Sequence, residues 1–191
     1  MKKDATTMLI IMPKVEDWGE AQKYRKKNIP NLRCGPHITL LHPYVAVEEF
    51  DKEEERIKNI VKTYKEINIE ATKYDEFKHR GGRRTIIARI KKDKALMSLQ
   101  QQIIKNTIFE QTRKNKKFEP HISMRNTYSE EQTNKEIKKL INHVPLIKST
   151  TNQILMVARE GKEQYYVKKI IPMGQQMDIK PQINIGQCTT F

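Results

Sequence analysis

Residues 36–40 read Pro-His-Ile-Thr-Leu, and residues 120–124 read Pro-His-Ile-Ser-Met. Each segment is a proline, a histidine, an apolar residue, a hydroxyl residue and an apolar residue. On a strand, successive side chains point to opposite faces. His37 and Thr39 therefore share one face, while Ile38 and Leu40 turn to the core. His121 and Ser123 repeat the arrangement 84 positions later (37 to 121). Each segment thus presents an imidazole and a hydroxyl side by side.

The flanking sequence repeats as well. The first half reads as a strand at 8–12, a helix at 18–27, the first His strand, a helix at 47–64 and a strand at 67–74. The second half reads as a strand at 85–90, a helix at 94–109, the second His strand, a helix at 129–143 and a strand at 147–157. A last strand is expected at 165–171. The helices are read from period: Phe50, Ile57, Ile60, Val61 and Tyr64 recur at helical spacing, as do Leu96, Leu99, Ile103 and Ile104. Ser129 before Glu130, Glu131 and Gln132 suits a capped start, and Pro145 forces a break after it. Gly81-Gly82 marks a turn at mid-chain. Strands alternating with helices predict an α/β or α+β chain. Repetition predicts two related lobes with the two His strands facing across a pseudo-two-fold cleft. Residues 175–191 read as a polar tail without a core role.

The 191 residues suit one compact domain or two small lobes. No apolar run approaches the roughly 20 residues of a membrane span, and the basic N-terminus lacks a secretory core. Cys34 and Cys188 make neither a disulfide framework nor a zinc site, so a reducing, cytoplasmic setting is expected. A net charge of +14 attracts polyanions such as RNA. Lys outnumbers Arg 27 to 10, a bias that AT-rich coding also produces.

Two imidazoles flanking two hydroxyls suit a phosphate. The hydroxyls can donate to non-bridging oxygens. A neutral imidazole can take a proton from the nucleophile, and a protonated one can give a proton to the leaving oxygen. Histidine serves both roles because its ordinary pKa, about 6.5, lies near working pH. The paired PHITL and PHISM motifs resemble those of the 2H phosphoesterases, over the chain from the first strand to about Gly174. That superfamily includes bacterial 2′-5′ RNA ligase-like proteins and tRNA-splicing cyclic phosphodiesterases. The resemblance implies a bilobal, duplicated α+β fold over residues 1–174, with two antiparallel-rich sheets lining a cleft and helices outside. It implies catalysis by His37 and His121, phosphate binding by Thr39 and Ser123, and no metal or other cofactor. It also implies substrates with 2′,3′-cyclic, 2′-5′ or 3′-5′ phosphodiester bonds, such as RNA, oligonucleotides or cyclic dinucleotides. Viral members of the family destroy signalling nucleotides.

Arg125, four residues past His121, is expected on the same strand face as a further phosphate or nucleotide contact. Tyr44, Phe118 and Tyr128 are candidates for base stacking. His42 reads as structural, and His143 as a helix-end residue. His79 sits in a basic turn, His-Arg-Gly-Gly-Arg-Arg, that suits either an RNA backbone or a solvated hairpin. The competing reading from another class is a catalytically silent RNA or nucleotide-binding module. RNA ligation ranks third. The protein is expected to act as a monomer, without a membrane.

Overall fold

The computed structural model describes residues 6–29, 34–106, 117–161 and 164–174. The polar tail, Cys188 and the last three positions of the helix expected at 94–109 lie outside the described residues. The strands are β1 (Thr6–Ile11), β2 (Ile38–Leu41), β3 (Ile67–Lys78), β4 (Arg84–Ile90), β5 (His121–Thr127), β6 (Lys148–Thr151), β7 (Gln153–Arg159) and β8 (Tyr166–Pro172). The helices are α1 (Gly19–Asn28), α2 (Phe50–Val61), α3 (Lys94–Asn106) and α4 (Glu130–His143).

The strands form two four-stranded sheets, ordered β2-β1-β7-β8 and β5-β4-β3-β6. Every pairing is antiparallel, and the fold is α+β. Neither half of the repeat owns a sheet. The strand that closes the first half, β3, pairs with β4 of the second. The strand that closes the second half, β7, pairs with β1 of the first. The lobes are therefore interlocked by strand exchange rather than formed one from each half.

The single strand expected at 147–157 is two. Residues Lys148–Thr151 pair with β3 in one sheet, and Gln153–Arg159 pair with β1 in the other. The crossing falls at Asn152, whose carbonyl accepts from Met173 N–H at 2.7 Å. Composition marks the junction: a polar run, Lys-Ser-Thr-Thr-Asn, precedes the apolar run Ile-Leu-Met-Val-Ala. The first suits a sheet edge and the second a strand buried on both faces.

The main core lies where the sheets meet α2 and α3. Phe50, Ile57, Ile60 and Val61 join Leu96, Leu99 and Ile103 there. Leu9, Ile11, Ile86, Ala88 and Ile90 supply its floor. On the opposite face of β1 a smaller cluster gathers Met8, Ile10, Met12 and Trp18 with Leu155 and Val157 of β7. Covered on both faces, β1 reads as an unbroken apolar run. Helix α1 differs, because the residues it buries are Ala21, Gln22 and Arg25.

Helix α4 starts as its sequence suggests. The Ser129 hydroxyl accepts from Gln132 N–H at 3.1 Å, and the Gln132 side chain accepts in return from Tyr128 N–H at 3.3 Å. Replacing Ser129 with Ala should cost about 1 kcal/mol of stability. A denaturant titration checks this, and an unchanged midpoint would refute the cap's contribution.

Candidate active site

His37 immediately precedes β2 and His121 opens β5. These are the edge strands of the two sheets, and they adjoin each other. The two imidazoles are held in the same way. His37 Nδ1 lies 2.9 Å from the Gly35 carbonyl oxygen, and His121 Nδ1 lies 2.8 Å from the Glu119 carbonyl oxygen. A carbonyl oxygen only accepts, so each Nδ1 carries the hydrogen. In the neutral ring Nε2 then keeps its lone pair, which is the state a proton acceptor needs.

The Gly35 carbonyl depends on glycine at that position. A Cβ there would lie 2.4 Å from Trp18 Cη2 and 2.8 Å from Met12 Cε. The Trp18 indole is itself anchored, donating to the Pro13 carbonyl at 3.0 Å. The other ring is braced from the side: Phe77 of β3 meets His121 edge-on, with centroids 4.8 Å apart.

A cavity of about 450 Å³ opens beside the motif strands, lined in part by Thr39, His42, Phe77, Lys117, Phe118 and His121. His37 and Ser123 are not among its lining residues. Arg25 of α1 links the backbone of Ser123 to that of Cys34, three residues before His37. This guanidinium is 3% exposed and makes three hydrogen bonds to uncharged acceptors. Nε donates to the Ser123 carbonyl at 2.9 Å, one terminal nitrogen to the Cys34 carbonyl at 3.2 Å, and the other to Gln22 Oε1 at 3.0 Å. Arg25 therefore spans the backbone leading into the first motif and the backbone of the second. Its sequence gives little hint of this, because an Arg among lysines on a polar helix reads as solvated.

Burial sets the protonation states. His37 is pushed down to about 4, first by desolvation and then by the nearby Arg25 cation, with His121 and His42 adding smaller repulsions and the Gly35 carbonyl opposing. His121 is also lowered by desolvation. It faces Arg89, which disfavours its cation, and Glu119, whose carbonyl and carboxylate favour it.

A bulge appears at the same place in both motif strands. Thr39 pairs with Ile10 and Leu41 with Leu9, so Leu40 is the extra residue. Ser123 pairs with Ile87 and Arg125 with Ile86, so Met124 is the extra residue. A bulge re-phases side-chain alternation, and this overturns the placement expected for Arg125. Arg125 falls beside Ile86 on the helix side, pairs with Glu136 of α4 at 2.8 Å and donates to Asn28 at 2.9 Å. It is a strut between helices α1 and α4. The residue that reaches the cavity beyond the first bulge is His42, which the sequence places on the opposite face from His37.

The stacking candidates separate. Phe118 lines the cavity. Tyr44 is buried and donates to the fully buried Glu53 at 2.6 Å, so its ring is core. Tyr128 is 73% exposed and does not line the cavity. Among the described residues no group of three or more His, Cys, Asp or Glu side chains is placed to hold a metal ion.

A family model for the 2′-5′ RNA ligase superfamily matches residues 13–163. The chain belongs to that superfamily, the 2H phosphoesterases. Solved structures share the fold at low identity. LigT of E. coli in complex with 3′-AMP is 14% identical with a TM-score of 0.53, covering 91% of this chain and 100% of that one. TT0787 of Thermus thermophilus is 15% identical with a TM-score of 0.60, covering 89% and 99%. Usb1 of Kluyveromyces marxianus is 10% identical with a TM-score of 0.51, covering 90% and 99%. A comparison with curated proteins found no match.

Replacing Gly35 with Ala should displace the His37 arm at a stability cost of about 1–3 kcal/mol, the range for overpacking. Thermal melting measures the cost, and a variant that melts like the parent would show that Trp18 can yield.

Proposed function

We propose that the protein is a metal-independent phosphodiesterase acting on 2′-5′ or 2′,3′-cyclic phosphodiesters of RNA or oligonucleotides, with His37 and His121 as its proton-transfer pair. The observation that carries this reading is the matched tethering of the two imidazoles, each with Nδ1–H donated to the carbonyl two residues back. Two rings so oriented from adjoining edge strands offer one Nε2 to each side of a bound phosphate. Thr39 and Ser123 supply hydroxyls for its non-bridging oxygens.

The electrostatics favour one division of labour. Arg25 disfavours a charge on His37, so His37 is the neutral base that takes the proton from a ribose hydroxyl or from water. His121 is lowered too, by desolvation and Arg89, but beside its carbonyl partner it has the Glu119 carboxylate, which His37 lacks. His121 is therefore the acid that protonates the departing oxygen. In a 2′-5′ linkage the free 3′-hydroxyl attacks phosphorus, the 5′-oxygen leaves, and a 2′,3′-cyclic phosphate forms. In a cyclic phosphate, water attacks and one ring oxygen leaves. The bound anion itself favours imidazolium, so the acid gains its proton more readily once substrate is present. Cyclic dinucleotides and other signalling nucleotides fall within the same chemistry.

The test is turnover of a panel of 2′-5′ oligonucleotides, 3′-5′ oligonucleotides, cyclic dinucleotides and nucleoside 2′,3′-cyclic phosphates in EDTA. Turnover of at least one is expected, and loss of that turnover on chelation would overturn the metal-free reading. His37→Ala and His121→Ala should each lower kcat by about 10²–10⁴-fold with substrate still bound. Unchanged function in both would favour a nucleotide-binding module instead.

The pH profile follows from the same shifts. The base loses function as pH falls through its free-enzyme pKa, and the acid loses function as pH rises through its own. Both are depressed below the ordinary histidine value, so kcat/KM should be bell-shaped with its maximum on the acid side of about 6.5. The two limbs belong to the pair rather than to single residues. In kcat both limbs should move upward, because the bound phosphate is anionic. A kcat/KM maximum above pH 8 would contradict the assignment.

A further inference from the structure

The basic turn at residues 79–84 is left unexplained by two-histidine chemistry, and its stem borders the cavity. Phe77, which meets the His121 ring, lies three residues before Arg80 on the strand that leads into the turn. Three extended residues span about 10 Å, a reach beyond one small cyclic phosphate. The turn is tightened by Gly81 and Gly82, at φ of 75° and 78°, and a Cβ on either would meet nothing within 4 Å. The positive φ, rather than close packing, accounts for glycine at both positions, and the turn stands clear of the core.

The charge at the turn is positive and uncommitted. Arg84 is taken up on the helix side by Glu76 at 2.8 Å and Glu130 at 2.9 Å. Lys78 lies 3.5 Å from Glu76. These contacts neutralise the neighbouring carboxylates. Arg80 and Arg83 are exposed, and no ion pair engages either among the described residues.

A row of hydrogen-bonding groups leads from the second motif to this turn. His121 and Ser123 are followed, past the bulge, by Asn126. Thr85 of β4 pairs opposite Asn126 and donates to its side-chain oxygen at 2.8 Å. His79 Nε2 lies 2.9 Å from the same Thr85 hydroxyl. Polar groups thus run along one sheet face to the two uncommitted guanidinium groups.

We propose that this row and the Arg80–Arg83 turn form a backbone-binding track for single-stranded RNA, so that the substrate is an oligonucleotide whose reacting end sits in the cavity. The track rests on the proposed phosphodiesterase reading for the position of that end, but its own contact is electrostatic. Arg side chains contact phosphates without reading sequence, and such binding weakens steeply with salt. A mononucleotide in the cavity would not reach this turn, which begins five residues of β4 beyond the position opposite His121 (Arg89 to Arg84), about 17 Å along the strand.

The experiment compares adenosine 2′,3′-cyclic phosphate with a ten-nucleotide RNA ending in the same cyclic phosphate, for the parent protein and an Arg80→Glu/Arg83→Glu double variant. The turn is exposed and outside the core, so the variant should melt with the parent. The expected result is a kcat/KM for the ten-mer at least 10-fold above that for the mononucleotide at low salt. The double variant should abolish that advantage while leaving mononucleotide turnover unchanged. Equal kcat/KM for the two substrates in the parent, or equal losses on both in the variant, would overturn the track. In parallel, fluorescence anisotropy measures binding of a ten-nucleotide RNA without a cyclic end. A loss of 10-fold or more in the double variant supports the track even if neither cyclic substrate turns over, a result that would count against the cyclic-phosphate part of the phosphodiesterase reading alone. Unchanged RNA affinity would sink the track while leaving mononucleotide chemistry standing.

Discussion

The arrangement turns on strand exchange between the halves of a duplicated chain. If each half closed its own sheet, the two histidine segments would sit on bodies free to part. Instead β3 completes the sheet of the second motif and β7 completes that of the first. Parting the sheets would break ladders on both sides of the repeat and open the shared core beneath α2 and α3. The outermost positions left to the motif strands are then the two facing edges, β2 and β5. An exposed edge offers unpaired backbone groups. Here one buried guanidinium takes up the Ser123 carbonyl of one edge strand and the Cys34 carbonyl of the segment leading into the other. Packing energy spread over many residues thereby holds two short segments at fixed separation, which is what the proposed proton transfer at both ends of one phosphate would require.

The bulges do the finer aiming. One extra residue in each motif strand, Leu40 and Met124, lets two consecutive residues be held on the core side. The imidazole and hydroxyl before each bulge stay on the other face. The next residue to return there is His42 in one strand and Asn126 in the other. The same backbone device thus serves both lobes while the side chains it delivers differ. The pseudo-symmetry is close enough in backbone to match the two imidazoles, and loose enough in side chains to give them different neighbours. Arg25 and Gly35 stand by one ring, Arg89 and Glu119 by the other.

What the sequence made legible follows from the range over which each feature is determined. The helices α2, α3 and α4 announced themselves through apolar period and, for α4, through a serine cap, because these are local. The histidine pair was legible because its pattern is local and occurs twice. The division of residues 147–157 between two sheets was not read, because β-forming residues continue on either side of Asn152 and the shift from polar to apolar there marks the crossing only once the pairing partners are known. Arg125 was misplaced because simple alternation holds only in the absence of a bulge, and a bulge depends on the partner strand. Tyr44 looked like a stacking ring only until Glu53, nine residues on and buried, claimed its hydroxyl. Arg25 was invisible because its three acceptors come from two backbones and a glutamine, none of which a charge pattern reveals.

The electrostatics of the site set that buried cation apart. The proposed phosphodiester substrate would bring a negative charge into the cleft, and most of the nearby guanidinium groups are already committed. Arg125 is held by Glu136, Arg84 by Glu76 and Glu130, and Arg89 by Asp75 and Glu119. Arg25 alone among these is buried against neutral acceptors only, and desolvation draws its own pKa down to about 10. Removing an ion from water costs several kcal/mol even after relaxation, so such a cation is poorly justified by stability in the empty protein. It is well justified in the presence of an anion, because a charge already in place and unneutralised needs no reorganisation when the phosphate arrives. On the proposed reading, a bound phosphate would offset the Arg25 field that, after desolvation, disfavours the His37 cation, although Arg25 makes no hydrogen bond to either imidazole.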